Sequence, residues 1–167
     1  MANVLLIRET EIRENDTWYP WLKKELEKRG HILFVPETPE IEDLNAWKSK
    51  AQEYMKFLDQ YSMVIGHGFG AKVALKILES KSRTIAATFL VAGCLDEEQY
   101  DFENIKLKSK EFFVYASDND IKVALEKTEH LAEMLDESVL PIPEAGHFDK
   151  IDEFEDILVD IISVVDR

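Results

Sequence analysis

The chain has 167 residues, 46% of them hydrophobic, and a single cysteine, Cys94. That is enough apolar material for one domain spanning 1–167 with a core held by neither disulfide nor metal, and a lone cysteine excludes an internal disulfide and fits a reducing compartment. The net charge of -14 sets the surface against phosphate backbones, which argues against nucleic acid as a partner. The first apolar run, Val4 to Ile7, is too short for a signal-peptide core or a membrane span, so the expectation is a cytoplasmic protein away from membranes.

Val4-Leu5-Leu6-Ile7 is continuous in its apolarity, the mark of a strand buried on both faces of a parallel sheet. A polar loop from Arg8 to Asp16 follows. Asp16 or Thr17 is placed to cap the next helix, which carries Trp18, Trp21, Leu22 and Leu26 on one side and lysines and Glu27 on the other. Gly30 ends it. His31 to Val35 is a second strand, stopped by Pro36 and Pro39. Leu44, Trp47, Ala51, Tyr54, Met55 and Leu58 recur at helical spacing and predict a helix over that stretch. Tyr61 to Ile65 is the third strand and runs into a glycine turn. A helix with Ala71, Val73, Ala74, Leu75, Ile77 and Leu78 follows.

Ile85 to Val91 is the fourth strand. Ala92 to Lys110 is short and polar with little helical periodicity, so any lid there is small and the pocket open. Phe112 to Ala116 is the fifth strand, followed by the acidic turn Ser117-Asp118-Asn119-Asp120. A helix through Ala124, Thr128, Leu131 and Leu135 leads to a short strand, Val139 to Ile142, in which Pro141 points to a sheet edge. Ile151, Phe154, Leu158, Ile161, Ile162 and Val165 outline a closing amphipathic helix. Strand and helix alternate throughout. The expected fold class is therefore α/β, a largely parallel sheet of about six strands in the order 2-1-3-4-5-6 between helix layers. That order puts a topological switch point between strands one and three, walled by the Arg8 loop and the Gly68 turn.

The turn itself reads Val64-Ile65-Gly66-His67-Gly68-Phe69-Gly70-Ala71. A strand turning sharply into a helix on glycines is the shape of the nucleophile elbow Gly-x-Ser-x-Gly, complete here except at its centre, where Gly68 stands. Downstream, Asp120 follows strand five and His147 follows the last strand, in the chain order nucleophile, acid, histidine that α/β-hydrolases use. An aspartate in such a set holds the imidazole, and the histidine moves the proton. The backbone N–H of Phe69, at the start of the elbow helix, would be an oxyanion donor. His67 would point away from the site and pack behind it. Cys94 reads as a buried small residue rather than a nucleophile. Arg8 could meet a ligand carboxylate or phosphate, or pair with one of the many acids. Gly66, Gly68 and Ala71 also satisfy a loose dinucleotide fingerprint, but after the third strand and with no acidic residue at the end of strand four. No metal-ligand spacing is present.

These residues carry a resemblance. Trp18-Tyr19-Pro20-Trp21-Leu22-Lys23-Lys24-Glu25-Leu26, the elbow from Gly66 to Gly70, Ser117-x-x-Asp120 with Val123, and Gly146-His147-Phe148 resemble the small serine hydrolases of the retinoblastoma-binding-protein type. The resemblance runs over nearly the whole chain. It implies a three-layer α/β-hydrolase fold of minimal size, with the family's aspartate on Asp120, its histidine on His147 and its serine on Gly68. Two features depart from the family: Gly68 has no side chain to attack with, and Arg8-Glu9-Thr10 replaces a tight glycine-containing oxyanion turn. The Leu-x-Cys-x-Glu pocket-binding motif of some members is not matched by Ala92-Gly93-Cys94-Leu95-Asp96.

The function implied is that of a pseudo-hydrolase, esterase-like in fold but lacking the nucleophile. It would bind an ester- or amide-like small molecule or a protein partner in a cleft formed by Arg8, Glu9, Thr10, Gly68, Phe69, Asp120 and His147, with no cofactor. The alternatives are a weak hydrolase in which His147 activates water, a serine hydrolase engineered at Gly68, and the dinucleotide binder.

Overall fold

The computed structural model describes residues 1–12, 17–96 and 99–167. Six parallel strands form one sheet in the order β2-β1-β3-β4-β5-β6: β1 (Asn3–Ile7), β2 (Ile32–Phe34), β3 (Met63–His67), β4 (Ile85–Val91), β5 (Ser109–Ala116) and β6 (Val139–Pro141). The helices are α1 (Tyr19–Glu27), α2 (Leu44–Gln52), α3 (Phe69–Ser80), α4 (Phe102–Lys106), α5 (Leu125–Met134) and α6 (Glu155–Val165). Order and direction agree with the sequence expectation, and β6, with its proline, lies at one edge.

Strand parity divides the core into two halves. Val4 and Leu6 of β1, Met63 and Ile65 of β3, and Phe89 and Val91 of β4 face α1 and α6. Leu5 and Ile7, Val64, and Leu90 face α2, α3 and α5. Successive side chains of a strand point to opposite faces, so a strand covered on both sides must be apolar throughout. That is why Val4-Leu5-Leu6-Ile7 has no polar residue and no surface exposure. The result is three layers, with helices on both faces of the sheet.

Several local boundaries differ from the periodicity. Thr17 does not cap α1; its hydroxyl donates to the Phe148 carbonyl at 3.2 Å, beside the Trp18 indole N–H on the same oxygen at 3.0 Å. The alternative cap, Asp16, lies outside the described residues. At the other end of α1, Gly30 has φ +78° and His31 N–H reaches back to the Leu26 carbonyl, the closure that a left-handed residue permits. Helix α2 opens on an Asp43 cap to Ala46 N–H but stops at Gln52, and Met55–Phe57 is a 3-10 turn. Apolar residues three apart suit either helix type, so the spacing through Leu58 could not show the change. Within Ala92 to Lys110, Asp101 caps the short α4 by accepting from Asn104 N–H.

Register carries the carboxyl ends of the strands to one rim: Ile7 pairs with Gly66, His67 with Val91, Val91 with Tyr115, and Ala116 with Pro141. The loops after β1, β3, β5 and β6 leave from that rim. The β3–α3 turn is tight because of two glycines. A side chain on Gly66 would strike the backbone of Gly70 and Ala71, and one on Gly70 would strike the Ile7 carbonyl. Backbone cannot yield as a flexible side chain does, so Gly70→Ala should destabilise the fold by about 1–3 kcal/mol, the usual cost of overpacking. Urea unfolding should show it as a lower midpoint with an unchanged slope.

Candidate active site

The elbow geometry is present at Gly68. Its φ is +56° and ψ -117°, its N–H bonds the Val91 carbonyl and its carbonyl accepts the Ala71 N–H. A non-glycine residue held in a sparsely populated backbone region costs roughly 1–3 kcal/mol, and glycine avoids that cost.

His147 comes from the loop after β6, and the acidic turn after β5 holds that loop residue by residue. Asp118 Oδ1 accepts from Glu144 N–H at 2.9 Å, Ser117 Oγ from Ala145 N–H at 2.9 Å and Asn119 Oδ1 from Gly146 N–H at 2.7 Å. Asp120 Oδ2 then faces His147 Nδ1 at 2.8 Å. The other Asp120 oxygen accepts the N–H groups of Lys122 and Val123. So Asp120 rather than Asp118 meets the imidazole, and both the Asp120 and the His147 side chains are buried.

Glu9 occupies the remaining space. Its carboxylate lies where a Cβ on residue 68 would be. Oε2 sits 2.5 Å from His147 Nε2. Oε1 accepts the Phe69 N–H at 3.2 Å and the Thr10 N–H at 2.7 Å. Of the cleft residues named from the sequence, Glu9 and Thr10 therefore join Gly68, Phe69, Asp120 and His147 in one cluster. Arg8 does not. Its guanidinium donates to the carbonyls of Thr10, Ile12 and Thr38, lies over the Trp47 ring, and meets no acid among the described residues. It lines an open cleft of about 680 Å³ with Thr10, Ile12, Pro36, Thr38 and Glu40. Gly68, Phe69, Asp120 and His147 do not line that cleft, contrary to the single cleft expected from the sequence, because Glu9 fills the gap between them.

The serine hydrolase family profile matches residues 4–158. The chain belongs to the serine hydrolase family. It is 27% identical to YdeN of Bacillus subtilis (strain 168), which is named as a hydrolase, over 87% of this chain and 85% of that one. The structure of the B. subtilis ydeN gene product superposes over the whole of both chains with a TM-score of 0.94 and 20% identity. An esterase domain from Rhodothermus marinus superposes with a TM-score of 0.71 and 11% identity, covering 98% of this chain and 84% of that one. At such identities the two superpositions establish the α/β-hydrolase fold alone.

Behind this serine hydrolase family site lies a second polar chain that sequence reasoning placed only as a packed His67. His67 is fully buried. Its Nε2 is 2.7 Å from the His147 carbonyl, and a carbonyl only accepts, so Nε2 carries the proton. Nδ1 is then the acceptor for the Tyr19 hydroxyl at 2.7 Å, and the Tyr19 oxygen accepts the Glu9 N–H at 3.0 Å. One neutral histidine and one tyrosine thus tie together the backbones of Glu9 and His147. Cys94 is half-buried rather than buried, with a long contact to Asp96. Among the described residues no cluster of three or more metal-type ligands occurs, and no helix is long and apolar enough to cross a membrane.

Protonation follows from these partners. Burial pushes the Glu9 carboxyl up, but the His147 hydrogen bond, the nearby histidines and Thr10 N–H outweigh it and hold it at about 2. Burial pushes His147 down, yet its hydrogen bonds to Glu9 and Asp120 leave it above its ordinary value. Both imidazole nitrogens face carboxylate oxygens, the arrangement of an imidazolium. Burial also lowers His67, to about 4, which keeps it neutral.

The sign of the pH dependence differs among the three. Stability from ionised Glu9 is complete above its unfolded value of 4.5 and is lost as pH falls toward 2. Stability from neutral His67 is complete above 6.5 and is lost as pH falls through about 4. Stability from charged His147 is complete below 6.5 and is lost as pH rises through its raised folded value. Unfolding free energy should therefore fall on both sides of a maximum. In Glu9→Gln the loss between about pH 5 and pH 3 should shrink relative to wild type, read by urea titration at each pH. An unchanged acid limb in that variant would contradict the assignment of Glu9.

Proposed function

We propose that this chain is a non-hydrolysing member of the serine hydrolase family, a pseudo-hydrolase that acts by binding. Within the family its kin are the small hydrolases of the retinoblastoma-binding-protein type, with Gly68 at the position of their serine. The observation that carries the reading is the place of the Glu9 carboxylate. It fills the space a nucleophile at residue 68 would use, and it takes the Phe69 amide and the His147 imidazole that a reaction would need.

Acyl transfer requires a nucleophile, a base to accept its proton and donors for the oxyanion. Gly68 supplies no nucleophile. His147, kept charged between two carboxylates, cannot accept a proton from serine or from water. The Phe69 N–H already has an anion. Direct activation of water by His147 is disfavoured for the same reason. What stays open to a small ester- or amide-like molecule, or to a protein segment, is the cleft beside Arg8. The net charge of -14 keeps nucleic acid out of the reading.

The test is a chromogenic short-chain ester assay with fluorophosphonate labelling, run on wild type, Gly68→Ser and the double variant Glu9→Gly/Gly68→Ser. Wild type should neither turn over above the His147→Ala background nor label. Gly68→Ser alone should stay silent: its Cβ would push the Glu9 carboxylate off its present seat, but the carboxylate, tethered at residue 9, still crowds the serine and the donors. It should also be less stable by about 1–3 kcal/mol, from backbone strain at a left-handed position. The double variant should label. Turnover by wild type that disappears in His147→Ala would overturn the proposal and make the protein an enzyme.

A further inference from the structure

Two amides and an imidazole at the centre of the site converge on a single carboxylate, with the Thr10 hydroxyl also 3.2 Å from its Oε1. The Thr10 and Phe69 amides reach Glu9 Oε1 at 2.7 and 3.2 Å. The His147 ring nitrogen reaches Oε2 at 2.5 Å. The Phe69 amide opens helix α3, twelve residues long, whose aligned peptide dipoles put partial positive charge at that end. Phe69 and His147 are 8% and 4% exposed, so these two donors are withdrawn from water.

We propose that this centre is a carboxylate-binding site whose resident ligand is the Glu9 side chain, and that a short free monocarboxylate takes the same seat when that side chain is removed. The inference rests on the reading of the site as non-hydrolysing and names the ligand class it is shaped for. Beyond its Cα, the glutamate side chain has the heavy atoms of propionate. A Glu9→Gly variant therefore leaves a vacancy of propionate size, with both amides and the imidazole still aimed into it. The Glu9 backbone keeps its bond to Tyr19, so the loop carrying the Thr10 amide stays anchored. Charge and shape must both match. Propionamide has the right shape but no charge, and it presents N–H groups to donors. Pentanoate has the charge but is two methylenes longer than the side chain it would replace, and the residue-9 backbone lies where the extra carbons would go.

The experiment measures thermal unfolding and the His147 imidazole NMR signals of wild type and Glu9→Gly, with sodium propionate, pentanoate, chloride or propionamide. Glu9→Gly should show a saturable rise in melting temperature and a shift of the imidazole signals, with a propionate Kd on the order of 1 mM. Its affinity should exceed that of wild type by about tenfold or more. Chloride and propionamide should have little effect, and pentanoate should bind more weakly. If Glu9→Gly does not fold in chloride, its folding should become propionate-dependent and insensitive to propionamide. Equal responses of wild type and variant would overturn the proposal. So would equal effects of propionate and propionamide, or no propionate response in either folding or binding. None of these outcomes depends on ester turnover, which tests the hydrolase reading separately.

Discussion

The contact between Glu9 and His147 decides the character of the whole rim. Two groups, 138 residues apart in the chain, meet at 2.5 Å in a place both reach with almost no exposure. Taking an ion pair out of water is expensive, and the expense is recovered only when the remaining lone pairs and protons are satisfied. Here they are. The carboxylate has two amide donors besides the imidazole, and the imidazole has Asp120 on its far nitrogen. Gly68 makes the arrangement possible, since any side chain there would take the volume of the carboxylate.

The surrounding groups keep that pair in register through the backbone. Tyr19 and His67 link the Glu9 N–H to the His147 carbonyl, and the acidic turn fixes Glu144, Ala145 and Gly146 one after another. Each bond has a defined direction, and those directions require a neutral His67 and a charged His147 only a ring apart, with centroids at 5.5 Å. Their environments separate them. His67 sits among Trp18, Tyr19 and Phe148, with no carboxylate on its ring nitrogens. His147 lies between two. Burial acts alike on both, and the direct carboxylate partners decide the difference.

Much of this was legible in the chain. Parallel strands covered on both faces announce themselves as unbroken apolar runs, and an elbow that needs close backbone approach announces itself as glycines at 66 and 70. Asp120 and His147 could be placed because loops after successive strands of a parallel sheet leave from the same rim. Glu9 could be named as a departure from a tight turn, but not placed. Its position depends on the rotamer of a loop side chain and on the adjacency of β1 and β3, neither of which has a period in sequence. The signal that was available is a pairing of opposites: a missing side chain at 68 and an excess one at 9, on the two walls of the same switch point. The early end of α2 and the presence of α4 escaped for a different reason, since short helical turns rest on caps such as Asp101 rather than on repetition.

On the proposed reading, the missing nucleophile is not the whole account of the site's chemistry. A hydrolytic centre works by holding donors ready for a charge that exists only in the transition state, so that binding is stronger there than in the ground state. Once a permanent carboxylate occupies those donors, the differential disappears. The anion is present before any substrate arrives, and a neutral ester carbonyl must displace a charged, tethered competitor to reach the same amides. The same carboxylate raises the imidazole's hold on its proton, which on the proposed reading disables it as a base. Restoring a hydroxyl at residue 68 would put a Cβ into the volume of that carboxylate and add backbone strain, so the side chain at residue 9 must be removed as well. On the proposed reading, one side chain, that of Glu9, thus turns a site organised for a transient charge into one satisfied by a resident charge.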